Sequence, residues 1–292
     1  MKNLLRNIAS FIIPLLLYFL LFRKHILENY FNHDNVEKML KNKLGQFYTD
    51  DNEVNFDNFV FATVLSELSE LEPIERRPYN LFLFREMLKR YKDELKKREE
   101  KNYVQIVNDK FSYIKAATLS GLKKILLSKA EEINGTPYAV IDIRNNHGGS
   151  LEDMKAVAEL FLPPQSIITR VHFANEKKTY TNHRKKQEFQ FEHIFILVDE
   201  ATASSAEMFL LALKDNLDHV TVIGPPTFGK TFGMSLVELS SGHGFFYISF
   251  NWLGPSGTVE LKPDVDNLAQ LLPVNKFDET LLNEIISYIG SN

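Results

Sequence analysis

The sequence predicts an α/β protein, and three observations carry that prediction. From about residue 103, short apolar runs alternate with amphipathic helical segments. The apolar runs carry no alternating polar face, as in strands covered on both sides by helices. Glycine- and serine-bearing loops follow several of these runs, and strand ends of such sheets are where sites are built.

The elements follow in order. Asn7 to Phe22 is sixteen residues without a charge, bounded by Lys2 and Arg6 before it and Arg23 and Lys24 after it. No small-residue cleavage site follows Phe22, so residues 1–25 are expected to form an uncleaved N-terminal signal anchor. Residues 26–102 are expected to form a small helical cap or spacer. In that stretch Leu81, Phe84, Leu88, Tyr91 and Leu95 recur at helical spacing, as do Phe59, Ala62, Leu65 and Leu68. The core is expected over 103–292, with a C-terminal helix. Tyr103–Val107 and Phe111–Ile114 are strand-like. Leu119, Leu122, Ile125, Leu126, Ala130 and Ile133 form one face of a helix that Gly135 terminates. A strand is expected at Tyr138–Ile143 and a helix over Leu151–Phe161, stopped by Pro163 and Pro164. Further strands are expected at His193–Val198, Val220–Ile223 and Phe245–Phe250. Ala206–Leu213 is apolar nearly all round and is expected to be a buried helix.

Composition narrows the functions. The chain of 292 residues has no cysteine, which excludes disulfides, thiolate nucleophiles and cysteine-ligated metals. Net charge is −4 and no basic stripe with interleaved aromatics appears, so no nucleic-acid partner is expected. His147 and His243 lie near candidate loops, but no paired-ligand spacing exists to support a metal site.

Three loops could carry chemistry: Arg144–Gly149, Ala201–Glu207 and Gly224–Lys230. Ser204 stands where a strand has ended and a buried helix begins, near free backbone N–H groups. Ser204 and Glu207 also fit a capping box, which would make Ser204 a plain N-cap. Lys230 lies in a glycine-flanked loop among Phe228 and Phe232. Desolvation there would lower its pKa and let a neutral amine take a proton from a serine. Gly148 and Gly149 allow backbone N–H groups to approach a reacting carbonyl, and they could equally be a plain turn.

A rival pattern overlaps the third loop. Gly224, Gly229, Lys230 and Thr231 fit the Walker A spacing, and Ile194–Glu200 looks like Walker B. Against a phosphate loop, Pro225 and Pro226 lack N–H groups, and Gly233 falls where the helix should begin.

Taken in order, the segments resemble the carboxyl-terminal-processing, or tail-specific, serine proteases of peptidase family S41. Tyr138–Gly149 (YAVIDIRNNHGG) is similar to that family's strand and glycine turn, with His147 in place of the usual proline. Thr202–Glu207 (TASSAE) is similar to its nucleophile segment and Thr227–Lys230 (TFGK) to its lysine segment. Gly254–Gly257 (GPSG) and Lys262–Val265 (KPDV) resemble later signatures. The resemblance covers about 103–270. It implies a crotonase- or Clp-like core of ββα units and hydrolysis of peptide bonds through an acyl-enzyme, without a cofactor. It implies Ser204 as nucleophile, Lys230 as base, and an oxyanion hole from the Gly148–Gly149 turn and Ser205. It implies a polypeptide substrate and, with the anchor, a membrane-tethered catalytic domain outside the cytoplasm. Two differences stand in the sequence. The stretch before the core reads as helices, leaving no room for a PDZ domain, and Met234 occupies the position of a glutamine. A non-catalytic peptide-binding relative is the alternative these differences suggest.

Overall fold

The computed structural model describes residues 79–97, 101–238, 242–259 and 262–265, together with Glu284 and Ser287. The anchor expected over 1–25 and most of the helical region expected over 26–102 lie outside the described residues. Among the described residues no helix is long and apolar enough to cross a membrane.

The chain divides into two compact units. One comprises the described parts of Met1–Arg98 with Met234–Ile248, and the other Glu99–Gly233 with the described parts of Ser249–Asn292. In the first unit, strand β1 (Leu81–Leu83) pairs antiparallel with the start of β10 (Gly244–Leu253), and helix α1 (Arg85–Lys97) follows β1. Sequence periodicity predicts helix from Leu81. The structure makes Leu81–Leu83 a strand, because its backbone finds a partner in Phe246, Phe245 and Gly244. His243 belongs to this unit, where its Nδ1 accepts from Arg85 N–H at 3.0 Å.

The second unit is built on a five-stranded sheet of order β2-β3-β4-β7-β8. Its strands are β2 (Tyr103–Val107), β3 (Phe111–Lys115), β4 (Tyr138–Asp142), β7 (His193–Leu197) and β8 (Val220–Ile223). β2 runs antiparallel to β3, and the other neighbours are parallel. β4 and β7 are apolar on both faces because both faces are covered. Ala139, Ile141, Ile194 and Ile196 join the larger core, while Val140, Phe195 and Leu197 join a smaller cluster with Phe111 and Tyr113. The helices on this core are α2 (Leu122–Ser128), α3 (Ala130–Asn134), α4 (Leu151–Phe161) and α5 (Ser205–Lys214). The single helix expected over 119–133 is two, because Lys129 leaves helical geometry at φ −119° and ψ 19°. α5 is buried at every residue from Ser205 to Leu213, as its all-round apolar sequence requires.

In a second group of strands, only β10 matches a strand expected from the sequence, at Phe245–Phe250. β5 (Ile167–Phe173) and β6 (Lys177–Thr181) form an antiparallel pair, and the end of β10 pairs with β5, setting Trp252 opposite Val171. β9 (Phe232–Glu238) pairs with β10. Register fixes where the loops of the main sheet emerge. Lys115 faces Asp142, Asp142 faces Leu197, and Leu197 faces Ile223. The loops after β4, β7 and β8 therefore leave one edge side by side, although some eighty residues of sequence separate the first from the last.

Candidate active site

The first loop is fixed by a buried polar cluster. Asp142, at the end of β4, is fully buried and accepts from Arg144 Nε at 3.0 Å, Arg144 Nη2 at 2.7 Å and Tyr113 Oη at 2.7 Å. Lys115 Nζ lies 3.4 Å from Asp142 Oδ1 and donates to the Arg144 carbonyl at 2.9 Å. Burial pushes the Asp142 carboxyl up, but the Arg144 guanidinium, with Lys115 and Tyr113, outweighs it and holds the group below the usual carboxylate range. Burial and the neighbouring carboxylate push the Tyr113 phenol well above its ordinary value. Asn146 ties the turn onward: its side chain donates to Ala116 O at 2.8 Å and its carbonyl accepts from Ala203 N–H at 3.0 Å.

The glycine turn then meets the second loop. Gly148 adopts φ 97°, and a Cβ there would lie 2.8 Å from both Ala203 O and Ser204 Cβ, so only glycine fits. Its N–H donates to Asn146 Oδ1 at 3.0 Å. The expected oxyanion donor Gly148 is thus spent within the turn, which leaves the Gly149 and Ser205 N–H groups of the predicted set. Ser205 Oγ is buried and, among the described residues, has no hydrogen-bond partner.

Ser204 has φ 58° and ψ −120°, a strained conformation for a side-chain-bearing residue, at the entry to α5. An ordinary N-cap has extended backbone, which Ser204 does not. The capping box expected from the sequence is present, and in it Glu207 Oε2 accepts from Ser204 N–H at 2.6 Å. No G-x-S-x-G signature advertises this turn, so sequence reasoning had no sign of the strained backbone.

Glu207 then joins the third loop to the second. It is fully buried. Oε2 also accepts from Lys230 N–H at 3.0 Å, and Oε1 accepts from Thr227 Oγ1 at 2.7 Å and Gly229 N–H at 2.6 Å. One carboxylate oxygen therefore holds the backbones of both Ser204 and Lys230. Lys230 Nζ lies 5.3 Å from the centroid of the buried Phe232 ring. Burial pushes its amine below the ordinary lysine value, and the Glu207 charge partly opposes this. Phe228, the other aromatic expected around the lysine, is not itself buried. Its N–H is held by Thr202 O at 3.0 Å, and its side chain is 56% exposed. The Walker pattern is likewise dismissed. After Thr231 the chain enters strand β9, not a helix, and the N–H groups of Phe228, Gly229 and Lys230 are spent on protein acceptors.

Ser204 at the entry to α5, Lys230 and the Gly148–Gly149 turn thus stand on loops that leave one edge of an α/β sheet. The chain belongs to peptidase family S41, whose model matches residues 105–266, more than half of its length. It is 30% identical over 151 residues to a "Probable CtpA-like serine protease" of Staphylococcus epidermidis, a match covering 50% of this chain and 30% of that protein. The aligned part is thus less than a third of that relative. Among solved structures, a lipoprotein from Streptococcus agalactiae superposes with a TM-score of 0.56 at 19% identity, over 88% of each chain. A Bacteroides fragilis structure provisionally described as an S41 protease gives 0.53 at 16% identity, over 65% of this chain and 57% of that one. Those two likenesses bear on the fold alone.

Proposed function

We propose that this chain is a serine endopeptidase that hydrolyses extended polypeptides with Ser204 as nucleophile and Lys230 as general base. The observation that carries the reading is the buried Glu207 carboxylate, which draws the Ser204 and Lys230 backbones onto one oxygen. Ser204 Oγ attacks the peptide carbonyl carbon, and the neutral Lys230 amine takes the hydroxyl proton. The developing oxyanion is met by the Gly149 and Ser205 N–H groups, with Gly148 providing the close approach. Collapse breaks the C–N bond, and Lys230 returns the proton to the leaving amine. Water, deprotonated by the same lysine, then releases the acyl group and restores Ser204. No step needs a metal or cofactor. An extended substrate fits as an added strand beside the sheet, bound through its backbone.

The N-terminal run Asn7–Phe22 is read as an anchor that tethers this activity to a membrane, with the catalytic part outside the cytoplasm. Extraction of membranes with alkaline carbonate tests the tether, and release of the full chain into the supernatant would refute it.

The test of the activity is hydrolysis of casein by the full chain in detergent. Ser204→Ala and Lys230→Ala are each expected to lower kcat/KM by about a thousandfold or more. Hydrolysis that persists in either variant would overturn the assignment. The parent rate is expected to rise with pH through a midpoint below about 10.4, because the neutral amine is the active form and burial lowers its pKa.

A further inference from the structure

Lys230 stands in a segment, Gly224–Thr231, that has no regular secondary structure, so neither a ladder nor a helix fixes its Cα. A long, flexible side chain reaches one place only if its own peptide is held. Two buried groups hold that peptide, one at each end. Glu207 Oε2 accepts its N–H at 3.0 Å. Trp252 Nε1 donates to its carbonyl at 3.0 Å, and Trp252 N–H donates to the next carbonyl, Thr231 O, at 3.0 Å. Trp252 is 1% exposed and sits in the β5–β10 ladder opposite Val171, so its ring is rooted in a sheet. Two residues after Thr231 the backbone lies close against the Phe250 ring. A Cβ on Gly233 would lie 2.0–2.4 Å from atoms of the Phe250 ring, which leaves the loop no slack on that side. A buried indole N–H needs an acceptor, and here it takes the carbonyl of the residue that carries the amine.

We infer that Trp252 is a positioning residue for Lys230, its indole N–H fixing the carbonyl end of the Lys230 peptide while Glu207 fixes the N–H end. It touches no substrate and acts only through the lysine, so the inference rests on the reading of Lys230 as base. The two are separable by experiment.

Trp252→Phe keeps an aromatic ring and deletes the N–H donor. Val171→Ala loosens the same strand pair and keeps it. The full-length parent and both variants are treated with a fluorophosphonate, and phosphonylation of Ser204, with loss of fluoride, is timed by intact mass beside the urea midpoint of each. Trp252→Phe is expected to react about tenfold more slowly or worse, with casein KM little changed, while Val171→Ala lowers the urea midpoint and keeps the parent rate. Equal rates for Trp252→Phe and parent, or slowing of both variants in step with lost stability, would overturn the inference and leave the Ser–Lys reading standing. Absence of phosphonylation in the parent at every pH would remove that reading instead. The positioning role is then decided by the NMR titration of 13C-methylated Lys230, identified by its loss in Lys230→Arg. Trp252→Phe is expected to move its midpoint toward ordinary lysine as the loop hydrates, and an unmoved midpoint would refute the role.

Discussion

Ser204 holds a backbone conformation that costs on the order of 1–3 kcal/mol for any residue with a Cβ. It persists because its neighbours are fastened on both sides: Ala203 N–H to Asn146 O, and its own N–H to Glu207. Ser204→Gly is therefore expected to abolish proteolysis while raising the unfolding free energy by about 1 kcal/mol, as measured in urea. A loss of stability in that variant would show that the strain is not borne by this residue. Glu207 behaves in the opposite way. Its carboxylate satisfies four donors in a buried site, so Glu207→Ala is expected to cost about 3 kcal/mol or more, from donors left unpaired. The same urea series checks it, and a cost under about 1 kcal/mol would deny the carboxylate its role as the tie between the two loops.

At the scale of elements, the site depends on how β4 ends. Asp142 and Arg144 interrupt an apolar strand with two charges, which would be a liability had the fold not paired them through two side-chain hydrogen bonds. Asp142→Asn leaves Arg144 and Lys115 buried without their counter-ion and is expected to destabilise the protein by about 3–5 kcal/mol. Downstream, the turn into α4 admits only glycine at position 148. Gly148→Ala is expected to lower casein hydrolysis sharply, because its Cβ would push on Ala203 O and Ser204 Cβ. Parent-like rates in that variant would mean that the turn and the serine loop are not in contact. The charged pair was visible in the sequence as two residues after an apolar run. That they form one buried cluster with Tyr113 and Lys115 was not, since those lie on a neighbouring strand about thirty positions earlier.

For the whole molecule, the buried Asp142 and Tyr113 and the half-buried Lys230 shape stability against pH. Asp142 has its pKa lowered by folding, so its contribution is complete above about 3.9 and is lost as pH falls through its folded value. Lys230 is also lowered, so between its folded value and about 10.4 the unfolded chain carries a proton the folded one lacks, and stability from this group rises with pH. Tyr113 is raised, so above about 10 the unfolded chain ionises first and stability falls. Lys230→Met is expected to flatten the alkaline rise in a urea-midpoint profile and leave the acid limb unchanged. A parent profile with no rise in that window would contradict the lowered amine. Residue order alone was enough to read a covered α/β core and most of its helices, because burial on two faces writes continuous apolar runs and amphipathic stripes into local sequence. It also marked the three loops and the residues Ser204, Lys230 and Gly148–Gly149, because glycine, serine and lysine at strand ends have short-range meaning. β5, β6 and β9 escaped, since their mixed polar and apolar residues gain strand geometry from partners distant in sequence. That Glu207 faces both loops and that Trp252 reaches the Lys230 carbonyl follow from the fold in three dimensions. Both are contacts between segments separated along the chain, and local residue order does not encode which distant donor a buried acceptor will meet.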